Sequence, residues 1–163
     1  MTYIILFILP IPIVLLINYL IILFRHRKAL AEIGFVKQRT RPNDYIITNI
    51  KMHYESGGSM KRYISFISKC DICLTDAYMA IMPFQTFPFK AYHRPIIFTK
   101  ESDRVKRMYQ FLQVCTPDKI IFKEAIKSEI EIHYHTYYNK YQVRLKGLTV
   151  EERANLEIIR AYC

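Results

Sequence analysis

The first twenty-four residues carry no charged side chain, and Arg25, His26, Arg27 and Lys28 follow at once. From Ile4 to Phe24 the run is almost wholly Ile, Leu, Val and Phe. Twenty-one helical residues rise about 31 Å, the thickness of a bilayer's hydrocarbon core. Residues 1–24 therefore read as a membrane anchor, and the rest of the chain must suit a place at a membrane surface. Pro10 and Pro12 remove backbone donors, so a kink or a non-helical turn is expected early in the run. Asn18 is the single amide inside it, with its own backbone or a second helix as partner. A cleaved signal peptide fits less well. No basic side chain precedes the run, and the small-x-small pattern Ala29-Leu30-Ala31 lies beyond the basic cluster.

Lys and Arg beside a membrane helix are retained on the cytoplasmic side. All 24 Lys and Arg residues follow Phe24, which predicts a single-pass protein with its C-terminal part cytoplasmic. The four cysteines fit a reducing compartment. Residues 25–43 read as a basic juxtamembrane linker, and residues 44–163 are long enough for one domain with its own core. The net charge of +10 belongs wholly to the part beyond the anchor. Such a domain is drawn to anionic head groups by about 1 kcal/mol per Lys or Arg near the surface. Its basic residues are scattered among Glu and Asp, and no nucleic-acid motif stands out, so nucleic acid is not an expected partner.

Residues 129–146 give the clearest folding signal. Ile130, Ile132 and Tyr134 alternate with Glu129, Glu131, His133 and His135, and Tyr141, Val143 and Leu145 alternate with Gln142, Arg144 and Lys146. Strict alternation puts one face in a core and the other in water. A four-residue loop at 136–139 pairs Tyr134 with Tyr141, Ile132 with Val143 and Ile130 with Leu145. The same register sets Glu131 against Arg144 and Glu129 against Lys146 on the outer face. Thr149 with Glu152 then forms a capping box, and Glu151 suits the positive end of the helix it opens. That helix is expected to reach Tyr162, with Val150, Ala154, Ile158 and Ala161 as its apolar stripe, Ile159 and Tyr162 widening it, and Leu156 off it. Further strands are expected over residues 45–55, 60–74, 78–82 and 95–99, with turns at 56–59 and 75–76. Residues 102–114 fit helical spacing through Val105, Met108, Tyr109 and Leu112, although 108–114 also fits a strand.

Several short strands closed by one capped C-terminal helix resemble the pleckstrin-homology-like (PH-like) superfold, including its GRAM and bacterial PH types. The segment from Ile72 through Leu74-Thr75 to Ile81 looks like the strand-turn-strand signature of those domains. Residues 120–126 are similar to the segment leading into their late hairpin, and Leu145-Lys146-Gly147-Leu148 precedes the last helix as it does there. The chain departs from the pattern between Lys100 and Asp118, where an insertion sits. It also lacks the dense Lys/Arg set in the first hairpin, keeping only Lys61 and Arg62. The resemblance implies an α+β chain in which an antiparallel β-barrel or sandwich, capped by a C-terminal helix, follows the transmembrane helix. It implies a non-enzymatic domain that binds lipid head groups or a protein segment, although so widely used a fold fixes neither.

The loop over residues 83–95 gathers Phe84, Phe87, Phe89, Tyr92, Lys90 and Arg94, a mixture suited to the boundary between acyl chains and head groups. With Arg25, Arg27, Lys28, Lys61 and Arg62, these three phenylalanines and two cations are the candidate lipid- or partner-binding residues. Cys70-Asp71-Ile72-Cys73 spells C-x-x-C, but it lies in an expected strand, where residues three apart face opposite ways, and no second pair accompanies it. His133 and His135 share a strand face with Glu131, which already has Arg144 opposite. They read as exposed polar residues, with ionisation near neutral pH as a further possibility. No phosphate loop, nucleophile motif or paired-acid cluster is present, so no catalytic residue, metal or cofactor is expected. The alternative is an enzyme or metal-binding protein at the membrane surface using His133, His135, Cys70 and Cys73, or an accessory subunit of a larger membrane complex.

Overall fold

The computed structural model describes residues 10–41, 44–57, 64–87, 89–101, 105–107, 113–123, 129–137 and 139–162. A long helix, α1 (Pro10–Gln38), comes first. The strands are β1 (Tyr45–Gly57), β2 (Ile64–Leu74), β3 (Met79–Gln85), β4 (Ala91–Tyr92), β5 (Ile96–Phe98), β6 (Gln113–Cys115), β7 (Pro117–Lys123), β8 (Glu129–His135) and β9 (Lys140–Lys146). A short helix, α2 (Val150–Leu156), continues as a 3-10 turn over Glu157–Tyr162. The sheet runs β6-β5-β3-β2-β1-β9-β8-β7, with β4 added to β3. Its two outermost strands, β6 and β7, follow one another in the chain with Thr116 alone between them, so the sheet curls into a nearly closed barrel. This is a mixed α+β fold with a barrel-like sheet and a C-terminal helix.

The alternating pattern in β8 and β9 produces the expected register. Tyr134 faces Tyr141, Ile132 faces Val143 and Ile130 faces Leu145. β1 is shared between both halves of the barrel, pairing with β2 from Tyr45 to Ser56 and with β9 from Lys51 to Gly57. A bulge between Ile47 and Ile50 bends it, and there Asn49 takes the left-handed backbone at φ 64°. The expected turn after β2 is built on Thr75, whose Oγ1 accepts the N–H groups of Ala77 and Tyr78.

The capping box forms as expected: Thr149 Oγ1 accepts the Glu152 N–H at 3.1 Å, and the Thr149 N–H donates to Glu152 Oε2 at 2.7 Å. Gly147, at φ 76°, supplies the left-handed turn before it. The expected stripe is corrected. Ile159, expected to widen the stripe, is fully buried, and so is Leu156, expected off it, whereas Val150 and Ile158 are exposed. The change from α to 3-10 winding after Leu156 rotates the following residues, and Leu156 and Ile159, one turn apart, enter the barrel. Residues 102–114 are of two kinds: 105–107 are helical, and Gln113–Cys115 is a strand parallel to β5. Positions 102–104 and 108–112 lie outside the described residues, as do Lys61 and Arg62.

Two apolar layers result. Ile72, Met79, Ile81, Phe98, Ile130, Ile132, Val143 and Leu145 fill the barrel, closed by Leu148, Leu156 and Ile159. A second cluster lies on the other face of β2, β3 and β5, where Cys73, Ala80, Met82 and Ile97 pack against Ile33 and Val36 of α1. The stretch read as a linker therefore continues as helix to Gln38 and packs against the sheet. Pro10 and Pro12 stand at the start of the described part of this helix. Among the described residues no helix is long and apolar enough to cross a membrane. The uncharged part described here, residues 10–24, rises about 22 Å. Residues 1–9 lie outside the described residues.

Candidate functional site

The expected aromatic-cationic loop meets α1 at the point where charge first appears in the chain. The backbone N–H of Tyr92 donates to His26 Nδ1 at 3.0 Å, and the two rings stack with centroids 6.2 Å apart. Phe89 packs edge-on against both Tyr19 and His26, at 5.7 and 6.0 Å. Asp71 holds this arrangement from the sheet side. Its Oδ1 accepts the N–H of Asn49 at the β1 bulge, and its Oδ2 accepts the Tyr92 hydroxyl at 2.8 Å. Lys90 Nζ lies 3.8 Å from the same Oδ2 and 4.2 Å above the Phe84 ring. The loop is thus fixed at both ends, and Phe87 at its tip is 85% exposed.

Beside this junction a cavity of about 690 Å³ opens between α1 and the barrel. Its inner wall includes Met52 and Ile96, both part of the barrel core, together with the half-buried Tyr54. Its outer wall includes Arg25, Lys28, Glu32, His93 and Arg94. Arg25 and Lys28 are exposed and have no ion-pair partner among the described residues. Glu32 is buried, 3.6 Å from Arg94 Nε, and its Oε2 has no hydrogen-bond partner among the described residues. Burial pushes the Glu32 carboxyl above the ordinary carboxylate range, against the pull of Arg94 and Lys28. Loss of solvation, with Arg25 nearby, pushes the His93 imidazole below its usual range, so it is neutral at pH 7.

Of the residues singled out from the sequence, the structure gathers Arg25, Lys28, Phe89, Lys90 and Arg94 at this junction. Arg27 is exposed on α1, and Phe87 projects from the loop. Phe84, expected to face lipid or a partner, is 3% exposed and packs against Tyr92 at 5.4 Å, so its ring is spent inside the molecule. Sequence reasoning missed His26, Glu32 and Asp71. The first two lie on the face of α1 turned to the sheet, a face recognisable only once residues 25–38 are taken as helix.

The other constellations have structural employment. Cys70 points into the barrel and Cys73 under α1, on opposite faces of β2 as their spacing requires. Burial raises both thiols, Cys73 to about 11. His135 Nδ1 lies 2.6 Å from Asp118 Oδ1, and no group of three metal-ligating side chains occurs among the described residues. Glu131 meets Arg144 at 3.1 Å as the register predicts, but the outer face there is not open to water. Glu129 and Glu131 are each 5% exposed, because β7 brings Lys123 across them, 2.7 Å from Glu131. Burial alone would raise the Glu131 carboxyl; the hydrogen bonds and charges of Lys123 and Arg144 outweigh it and hold that group below its ordinary value. No family model, no curated protein and no solved structure matches this chain.

Proposed function

We propose that this chain is a single-pass, non-enzymatic membrane protein that holds a PH-like barrel at the cytoplasmic face as a tether or adaptor. The barrel binds anionic lipid head groups or a protein partner there. The observation that carries the reading is the environment of α1. Every residue from Ile11 to Ile21 is exposed, including Leu15 at 64% and Leu16 at 58%, and the apolar side chains surround the helix rather than forming one stripe. A helix apolar on all sides is stable inside a protein or inside a bilayer, and among the described residues Phe89 alone is seen to pack on this stretch, at Tyr19. Phe89 meets the helix at Tyr19, within the uncharged run, so the aromatic loop lies at the depth where acyl chains give way to head groups. Arg25, Arg27 and Lys28 follow just beyond. The strand order supports the PH-like part of the reading, with β1 shared between two half-barrels and Leu156 and Ile159 entering the barrel from the last helix.

Extraction of membranes carrying the full chain with alkaline carbonate tests the anchor, and release into the supernatant refutes it. Protease protection of a C-terminal tag in sealed vesicles tests the orientation. Tethering is tested by reconstituting the full chain in neutral vesicles and adding labelled vesicles of rising anionic content. Bridging that rises with anionic lipid and falls with salt supports lipid recognition. Bridging indifferent to both leaves a protein as the partner.

A further inference from the structure

We infer that the cavity between α1 and the barrel is a binding site for an anionic phospholipid with a hydroxylated head group, one acyl chain lying within it. Three features point to this ligand class. The cavity, at about 690 Å³, falls in the range of sites that enclose a small organic molecule. Its two walls differ in chemistry. On the barrel side Met52 and Ile96, each 5% exposed or less, offer apolar surface continuous with the core among polar Ser68, Gln85 and Gln113, and on the α1 side Arg25 and Lys28 stand exposed. A molecule with a chain at one end and a negative group at the other satisfies both. Finally, Glu32 Oε2 is buried at the wall, where Arg94 Nε lies 3.6 Å away as an ion-pair partner but no described residue donates it a hydrogen bond. The nearby guanidinium offsets part of the cost of burying this oxygen, and a hydroxyl donor supplies the hydrogen bond it lacks. An anionic phosphate beside Arg25 and Lys28, carrying a hydroxyl within reach of Glu32, meets all three requirements.

The placement also explains how such a ligand arrives. Ile22 and Arg25 line the cavity and span the end of the uncharged run, so the opening faces the head-group layer. Only this route rests on the membrane-anchored reading. The cavity itself is tested separately, and carbonate extraction distinguishes failure of the anchor from failure of the site.

The test uses the full chain in nonionic detergent and native mass spectrometry with four probes. These are palmitoyl-lysophosphatidylglycerol, its choline counterpart, palmitate and glycerol phosphate. A single retained lysophosphatidylglycerol is expected, at least tenfold preferred over the choline lipid and over palmitate, with glycerol phosphate not retained. Replacing both cations (Arg25→Gln with Lys28→Gln) should weaken retention at least tenfold, and both side chains are exposed, so folding is not at stake. Glu32→Ala should erase the preference over palmitate while leaving the preference over choline. Filling the cavity with Ser68→Trp, at a position of β2 that lines its barrel side, should abolish retention, with intact thermal unfolding as the control. Several weakly held lipids per chain, insensitive to the cation variant, would overturn the inference. So would equal retention of the four probes, or retention of glycerol phosphate alone.

Discussion

Truncating Ile33 tests whether the barrel and helix α1 form one rigid body. Its side chain is 4% exposed and packs with Val36, Cys73, Ala80, Met82 and Ile97 in the layer between α1 and the sheet. Ile33→Ala deletes three buried carbons, worth about 2.4 kcal/mol at roughly 0.8 kcal/mol each, and the unfilled space adds to this. The loss falls on docking of the helix, because Ile33 belongs to the second cluster and not to the barrel core. About 2.7 kcal/mol corresponds to a hundredfold change in an opening equilibrium. Hydrogen exchange of the full chain in detergent is the assay. Amides of residues 27–38 should exchange about a hundredfold faster in the variant, while those of β8 and β9 keep their protection. Val36→Ala, one turn away and fully buried, should act in the same direction, and the pair should not be additive. Unchanged exchange in Ile33→Ala, or a wild-type helix that exchanges like a free peptide beyond Arg27, would refute the docking argument.

Other consequences are open to measurement. Arg144→Ala leaves Glu131 buried with Lys123 as its remaining close cation and should cost about 2 kcal/mol in denaturant unfolding. Because the Glu131 carboxyl is depressed in the folded state, its stabilising effect is present above the unfolded glutamate value of about 4.3 and is lost as pH falls through the folded value. The acid-side loss of stability should be smaller in Arg144→Ala. Asn49→Gly should be neutral or stabilising by about 0.5 kcal/mol, and Asn49→Val destabilising by about 1–2 kcal/mol, since the bulge requires left-handed backbone. Cys70 and Cys73 should resist maleimide at pH 8 until the protein unfolds, their buried thiols being raised well above that pH. Rapid native labelling of either would contradict their placement.

The hairpin and the capping box were legible because each is decided locally. In residues 129–146 the alternation and the facing charges demand one register, and β8 and β9 adopt it. The last helix was legible at its start and only partly along its length, since a switch to 3-10 winding is a tertiary outcome that brings Leu156 inward beside Ile159 and leaves Val150 and Ile158 outside. Burial of Glu129 and Glu131 was hidden for a similar reason. It depends on Lys123 of β7, whose pairing with β8 no local pattern announces.

Docking of α1 left a signal that composition obscured. Ile22, His26, Ala29, Ile33, Val36 and Thr40 recur in steps of four and three, the spacing of a helix face turned to a partner. Residues 78–84 are apolar without alternation, as a strand covered on both sides must be, and β3 is covered by the barrel core within and by α1 without. Each pattern supplies the partner the other lacks. Read together they place the helix on the sheet, and its basic face on the aromatic loop follows. That coupling gives the junction its meaning: a flexible linker would let the barrel roam, whereas a helix packed through Ile33 and Val36 fixes Arg25, Lys28 and Phe89 at one depth relative to the uncharged run. A cavity walled by that helix then changes shape whenever the helix shifts, so occupancy of the cavity and docking of α1 are thermodynamically linked. The linkage has a sign: an amphiphile that contacts both walls must slow exchange in residues 27–38, and Ile33→Ala must weaken its retention although Ile33 does not line the cavity.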